Sequence, residues 1–293
     1  MAQIVPPPGL RLGEAEELRL GFAGAESTVS LYLAHLGHRV TYLSRLGRDP
    51  FGDMIEHGMV QGGVDTTWIE RDSSRNTGVY FKDARCGTTT VYYYRANSAA
   101  SALTSTALVP ELLDGVALVH ISGITPALST TCRALTEKLF QLRDQFNFEI
   151  SFDVNYRPQL WPDGDAPEVL RELAKSSDLV LVGLDEAQSL WGTPQPADVR
   201  NLLGSANDLI VKDGPVGAWY FHGNELDFEK ALEVPVLEPV GAGDSFAAGV
   251  LHGRLTGASV TEMLRRGHCM AARTLQSTAD FVVPEEDHHA AEH

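Results

Sequence analysis

The chain has 293 residues, 43% hydrophobic and 21% charged, the balance of a folded soluble protein long enough to bury a large core. A formal net charge of −16 argues against nucleic acid and against anionic membranes as partners. It leaves room for a small anionic substrate, because a cluster such as Tyr93-Tyr94-Arg95 inverts the field locally. Cys86, Cys132 and Cys269 lie far apart, which fits free thiols in a reducing cytoplasm and gives no disulfide framework or metal site. No apolar run approaches the ~18 residues of a membrane span. The first eight residues lack the basic and apolar regions of a signal peptide. His288, His289 and His293 read as a polar tail.

In chain order, residues 10–20 read as extended and polar, 26–36 as helix, 39–44 as strand and 51–61 as helix. Residues 77–82 and 88–95 are β-rich and polar-interleaved, with a turn around 83–87. A buried strand over 116–122, a long helix over 127–144 and a second buried strand over 149–153 follow. Strand patterns recur at 179–182, 209–212 and 234–236, and two helices cover about 244–256 and 259–276. Such alternation predicts one α/β domain over 1–293, a three-layer αβα arrangement around a mostly parallel sheet. The segments that break the alternation, about 8–22 and 76–97, are expected to form a small β-sheet lid.

The most informative stretch is Glu238-Pro239-Val240-Gly241-Ala242-Gly243-Asp244-Ser245-Phe246. Gly241, Ala242 and Gly243 have almost no side chain to keep a ligand off the backbone. Their N–H groups and the helix dipole would cradle a phosphate or the charge developing on it. A carboxylate there repels phosphate, so Asp244 needs a reason to be present, and accepting a proton from an attacking hydroxyl is one. The plain alternative is a turn with Asp244 as N-cap. The stretch is neither a Walker loop nor a dinucleotide fingerprint.

Ligands of an open parallel sheet bind at the C-terminal ends of its strands. There Asp153 and Asn155 offer oxygens suited to Mg²⁺ or its waters, and Arg157 a planar fork for carboxylate or phosphate. A structural Arg–Asp pair would use the same residues. Lys212-Asp213-Gly214-Pro215-Val216-Gly217 would let a flat ring or ribose approach, and would equally make a hairpin turn. On the lid, Tyr93 and Arg95 share one strand face, a pairing suited to a polar sugar acid.

Together these pieces resemble the ribokinase-type carbohydrate kinase family, on Ala23-Gly24-Ala25-Glu26-Ser27-Thr28, on Arg45-Leu46-Gly47-Arg48-Asp49-Pro50-Phe51-Gly52 and on Gly241–Asp244. Tyr80-Phe81-Lys82, Tyr93-Tyr94-Arg95, Ser122-Gly123-Ile124-Thr125 and Asp153-Val154-Asn155-Tyr156-Arg157-Pro158 look like its 2-keto-3-deoxygluconate kinase branch. The resemblance implies a ribokinase-like fold and ATP- and Mg²⁺-dependent phosphorylation of O6 of that sugar acid. It makes Asp244 the base, and Gly241, Ala242 and Gly243 the anion hole. Gly24, Tyr80, Tyr93, Arg95, Ile124 and Arg157 would contact substrate. Asn155, Lys212, Gly214, Gly217, Gly241, Gly243 and His268 would hold the nucleotide, and Glu186 would lie near the metal. The same resemblance implies a cytoplasmic homo-oligomer, a dimer or larger, paired through the lid sheets.

Three departures accompany it. The family opens with a core strand ending in Gly-Glu or Gly-Asp, and Met1-Ala2-Gln3-Ile4-Val5-Pro6 corresponds to the stretch just after it. The expectation is therefore either a start further upstream or a main sheet short of one central strand, with exposed edges. Thr28 stands where the family has Asn, and Gly183-Leu184-Asp185-Glu186 keeps only the Glu of an Asn-x-x-Glu motif. The competing readings are a fructokinase-like enzyme of the same family and a non-catalytic sugar- or nucleotide-binding relic. Arg95 and Arg157 argue against the first, since a neutral sugar has no carboxylate to match them. Asp244 and its anion hole argue against the second.

Overall fold

In Leu179–Gly183 every residue is buried, as in a strand covered by helices on both faces. The computed structural model describes residues 1–7, 9–85, 88–204, 208–223, 225–279 and 281–282. Part of the turn expected at 83–87, and the histidines of the tail, lie outside the described residues.

The elements run β1 (Ala2–Val5), β2 (Arg19–Phe22), α1 (Ala25–His35), β3 (Ser44–Gly47), α2 (Pro50–Gln61), β4 (Ile69–Asp72), β5 (Val79–Arg85) and β6 (Thr88–Tyr94). Then come α3 (Pro110–Leu113), β7 (Leu118–Ser122), α4 (Ile124–Ala127), α5 (Thr130–Phe146), β8 (Glu149–Asp153), α6 (Ala166–Lys175), β9 (Leu179–Gly183) and α7 (Leu184–Trp191). The last are α8 (Pro196–Leu203), β10 (Asp208–Lys212), β11 (Gly217–His222), β12 (Glu225–Lys230), α9 (Ala242–Leu255) and α10 (Val260–Leu275).

The main sheet has the order β12-β11-β10-β9-β8-β7. Strands β7 to β10 are parallel, and β11 and β12 add an antiparallel hairpin at one edge. Alternate side chains serve opposite faces. Val180 and Val182 pack with Leu142, Leu170, Leu190 and Val199 from α5 to α8. Leu179 and Leu181 pack with Tyr32, Val250, Leu251 and Leu264 from α1, α9 and α10. Each such aliphatic side chain stabilises the fold by about 1.5–3 kcal/mol on burial. The three layers expected from the sequence are thus present.

The lid is a four-stranded sheet, β2-β1-β5-β6. Its third and fourth strands fall where the sequence puts them, but most of 10–20 is turn and coil, and only Arg19–Phe22 is strand. Strand β1, which hydrophobic patterning did not separate from its proline-rich neighbour, runs parallel to β5 as a central lid strand. Two further corrections concern strands. The strand expected at 39–44 begins only at Ser44, with Thr41 making a single bridge to Asp65, and β3 pairs with β4 in a separate two-stranded sheet. Residues 234–236 are not a strand. The N–H groups of Leu237 and Glu238 next to them donate to the Leu275 carbonyl, tying this segment to the end of α10.

Candidate active site

The parallel register lines up the ends of four strands. Ser122 faces Asp153, Asp153 faces Leu181, and Gly183 faces Lys212. Helix α9 starts across from this row. Its N-cap, Gly241, has φ 90° and ψ −14°, a left-handed backbone that glycine adopts without strain. Gly243 is exposed, and a Cβ there would lie 3.6 Å from the Lys212 ammonium, so the first turn of α9 meets that cation across open space. Ahead of it, Glu238 accepts from the Val240 N–H at 3.1 Å and from Thr89 Oγ1 of β6 at 3.1 Å. The lid is thereby fastened to the loop that shapes the helix start.

Asp244 sits in the first turn of α9. Burial, with the nearby Asp153 carboxylate second, pushes its pKa up to about 7, against the pull of Lys212 and Arg157. Asn155 Nδ2 approaches Asp244 Oδ1 at 3.4 Å. Asn155 itself holds φ 39°, and its Oδ1 is buried without a hydrogen-bond partner among the described residues. A strained backbone and an orphaned acceptor beside a carboxylate are features of a ligand site.

Lys212 Nζ donates to Asp153 Oδ2 at 2.9 Å. Although burial opposes its charge, Asp153, Glu186 and Asp244 together raise the pKa of Lys212. Asp153 is therefore one half of a buried ion pair, not the unencumbered Mg²⁺ ligand its place after a strand suggests. Glu186 Oε2 accepts from the Gly183 N–H at 3.1 Å, and Oε1 receives Arg157 Nη1 at 3.3 Å. Burial raises the Glu186 pKa.

A cavity of about 1220 Å³ brings together Gly24, Tyr80, Tyr93, Arg95, Ile124, Asn155, Arg157, Glu186, Lys212, Gly241, Gly243 and Asp244. Ala242 adjoins it in the chain. Arg95 lies 5.6 Å from the Tyr93 ring centre, and the Tyr93 and Tyr80 rings are 6.0 Å apart. Tyr80 is held from behind by Gln3 Nε2, which donates to its hydroxyl at 2.7 Å. Burial lowers the Arg95 pKa, opposed by Tyr93 and Glu26, and the Arg157 charge lowers it further; both arginines line the cavity.

Three nucleotide candidates fall outside the cavity lining. Gly214 occupies the Asp213–Gly217 turn with φ 48°. Gly217 starts β11, where a Cβ would meet the Glu229 carbonyl at 2.3 Å, so its glycine is required by the hairpin. His268 is buried against Phe246, and its Nε2 lies 3.0 Å from the Glu229 carbonyl oxygen. Sequence reasoning also passed over Glu26. Its Oε1 accepts from Ser122 N at 3.1 Å, Ser122 Oγ at 2.7 Å and Thr125 Oγ1 at 2.9 Å, fixing the β7–α4 turn that presents Ile124. An acid in a helix's first turn is so ordinary that the sequence carries no signal for this role.

A helix start with small residues, a carboxylate in its first turn and two arginines lining the same cavity are an arrangement suited to phosphoryl transfer to a small hydroxyl-bearing molecule. The chain belongs to the pfkB family of carbohydrate kinases, whose description matches residues 6–284. It is 34% identical to the 2-dehydro-3-deoxygluconokinase of Bacillus subtilis over 276 residues, covering 92% of this chain and 85% of that one. It is 29% identical to the 2-dehydro-3-deoxygalactonokinase of Haloferax volcanii, covering 98% of this chain and 92% of that one. The crystal structure of a PfkB protein from Polaromonas sp. JS666 superposes with a TM-score of 0.87 at 32% identity, covering 97% of this chain and 94% of that one. The ribokinase-like fold expected from the sequence is therefore the fold of this protein.

Proposed function

We propose that this protein transfers the γ-phosphoryl group of ATP to O6 of 2-keto-3-deoxygluconate, which is the 2-dehydro-3-deoxygluconate of its relatives' names. The observation that carries the sugar-acid reading is the convergence of Arg95 and Arg157 on the cavity that holds Asp244. Arg95, and Arg157 beyond its contact with Glu186, would be stabilised by an anion between them, and a planar carboxylate matches a guanidinium fork. Tyr80 and Tyr93 supply flat walls for the carbon chain, and Gly24 and Ile124 leave room beside it.

In the reaction the O6–H proton passes to the Asp244 carboxylate as the new O–P bond forms. The bond between the γ-phosphorus and the bridging oxygen breaks, and ADP leaves with that electron pair. With its pKa near 7, Asp244 is ionised often enough to act and basic enough to accept. The N–H groups of Gly241 to Gly243 and the dipole of α9 take up charge on the transferring group. Lys212, whose ammonium lies beside the first turn of α9, adds a cation at the same point.

Mg²⁺ would accompany the nucleotide and screen its phosphates. Among the described residues no cluster of three or more His, Cys, Asp or Glu could hold a metal. The orphaned Asn155 Oδ1 and the Glu186 carboxylate are the acceptors available to the ion's waters.

The test is ADP release with Mg-ATP and 2-keto-3-deoxygluconate, beside 2-keto-3-deoxygalactonate, fructose and ribose. The reading predicts turnover of a keto-acid, and an Arg95→Gln variant whose kcat/KM for it falls at least tenfold. Turnover of fructose or ribose alone, with Arg95→Gln unaffected, would overturn the sugar-acid assignment.

A further inference from the structure

Thr89, Val91 and Tyr93 of β6, and Arg95 just after it, follow at every second position and so share one face of the strand. Val91, Tyr93 and Arg95 line the cavity that holds Asp244. Thr89, on the same face, meets the loop ahead of α9 instead. Its hydroxyl donates to the Glu238 carboxylate, 3.1 Å from Oε1 and 3.2 Å from Oε2. Strand β6 is the last of the lid, and among the described residues it pairs with β5 alone. The Thr89–Glu238 contact is thus a second fixed point for a strand whose other end carries Tyr93 and Arg95.

Glu238 is only 6% exposed, and among the described residues its carboxylate has no ion-pair partner. A carboxylate taken out of water without a cation is costly unless donors surround it. Two donors reach this one, the Thr89 hydroxyl and the Val240 N–H, the latter 3.1 Å from Oε1. The second bond closes a tight turn that leads into Gly241, the left-handed N-cap of α9. The backbone of that turn is anchored elsewhere, through the Leu237 and Glu238 N–H groups on the Leu275 carbonyl. With Thr89 withdrawn, the carboxylate loses one of its two donors and must turn outward to find water. That movement frees the Val240 N–H, and with it the start of the helix. The lid therefore reaches the chemistry by two routes, through Tyr93 and Arg95 in the cavity and through Thr89 and Glu238 at the start of α9.

We propose that Thr89 and Glu238 are positioning residues for phosphoryl transfer. Their hydrogen bond makes the lid strand and the first turn of α9 one unit, so the N–H cradle takes its working shape with the lid down. The inference rests on the kinase reading of this site given above. Neither residue touches a reacting atom. Their effect falls on kcat and little on either KM, because the cradle acts on charge that develops in the transition state. Serine at 89 can serve in place of threonine, since the hydroxyl and not the methyl group makes the contact.

The variants that test this are Thr89→Val, which keeps the shape and β-branching of the side chain without its hydroxyl, Thr89→Ser and Glu238→Ala. With Mg-ATP and 2-keto-3-deoxygluconate, Thr89→Val is expected to lower kcat about tenfold or more, with both KM values within about threefold of the parent. Thr89→Ser should return kcat to within about threefold of the parent. Added to Glu238→Ala, Thr89→Val should cost nothing more, because its partner is already gone. Hydrogen exchange on the ligand-free protein reads the same link without turnover. In Thr89→Val the amides of Val240, Ala242 and Gly243 should exchange about fivefold faster or more, with Leu181 of the main sheet unchanged. If the parent turns over the keto-acid and Thr89→Val matches its kcat, or Thr89→Ser does no better than Thr89→Val, the link is overturned and the kinase reading stands. If the parent phosphorylates only a neutral sugar, the sugar-acid reading falls, and the same comparison of kcat on that sugar decides the link. Unchanged exchange at Val240 overturns it whatever sugar is turned over, or none.

Discussion

Asp153, Lys212, Glu186 and Asp244 pack two or three negative charges around one ammonium group, and the sum of their interactions sets both stability and chemistry. Removing the cation by Lys212→Met leaves Asp153, only 2% exposed, as a buried charge without its partner. Breaking a buried pair this way costs about 3–5 kcal/mol. The melting temperature of Lys212→Met should therefore fall, and the double variant with Asp153→Asn should recover most of the loss. Single and double variants that melt alike would contradict the pairing. The Asp244 pKa near 7 carries a second prediction. Below that pH the carboxyl is protonated and accepts nothing, so kcat/KM should rise about tenfold for each step of one in pH up to about 7 and level above it. A profile flat from pH 5.5 to 8 would remove Asp244 as the base. Of these residues, Asp244, Lys212, Asn155 and Arg157 were legible in the sequence, because loop acids and bases after buried strands stand out against apolar runs. The Asp153–Lys212 pair and the threefold role of Glu26 were not, since partners 59 and 96 residues apart leave no local pattern.

At the scale of elements, the position of Asp244 depends on how closely α9 lies on α10. A Cβ on Gly249 would meet the Arg266 carbonyl oxygen at 2.6 Å and the Gly267 nitrogen at 2.7 Å, both backbone atoms that cannot swing away. Gly249→Ala should cost about 1–3 kcal/mol by overpacking. It should also lower kcat, because the displaced helix carries Asp244 and the proposed anion hole with it. Thermal unfolding and steady-state kinetics on one preparation would check both, and a variant as stable and active as the parent would contradict this packing. The helices read at 26–36, 51–61, 127–144, 244–256 and 259–276 lie close to α1, α2, α5, α9 and α10, since a 3.6-residue period over ten or more residues is strong evidence, whereas α6, α7 and α8 were not read. The β11–β12 hairpin was hidden by short strands and by residues that doubled as a candidate nucleotide loop. The apolar run at 234–236 mimicked a strand although Val236 is 62% exposed, because patterning reports hydrophobicity and not burial.

For the molecule as a whole, the layered architecture followed from alternating helices and strands, and the lid from the segments that broke the alternation. The division of the sheet into six strands and two was foreshadowed only by the resemblance, because no local pattern announces which strand edges meet. One consequence joins fold and function. The Asp244 carboxyl favours its protonated form in the folded state, so its favourable contribution to stability is complete below the unfolded pKa of 3.8 and is lost as pH rises towards 7. At pH 8 the ionised carboxylate costs the fold between about 1 and 4 kcal/mol, since each tenfold change in proton affinity is worth about 1.36 kcal/mol. A base kept at that cost should be dispensable for folding and indispensable for turnover. The measurement that tests this most directly compares Asp244→Asn with the parent at pH 8, in phosphoryl transfer from Mg-ATP to 2-keto-3-deoxygluconate and in thermal unfolding. The account predicts a kcat lower by about 10²–10⁴-fold, with substrate binding retained and a melting temperature equal or higher. A variant that turns over like the parent, or that loses activity only because it unfolds, would contradict it.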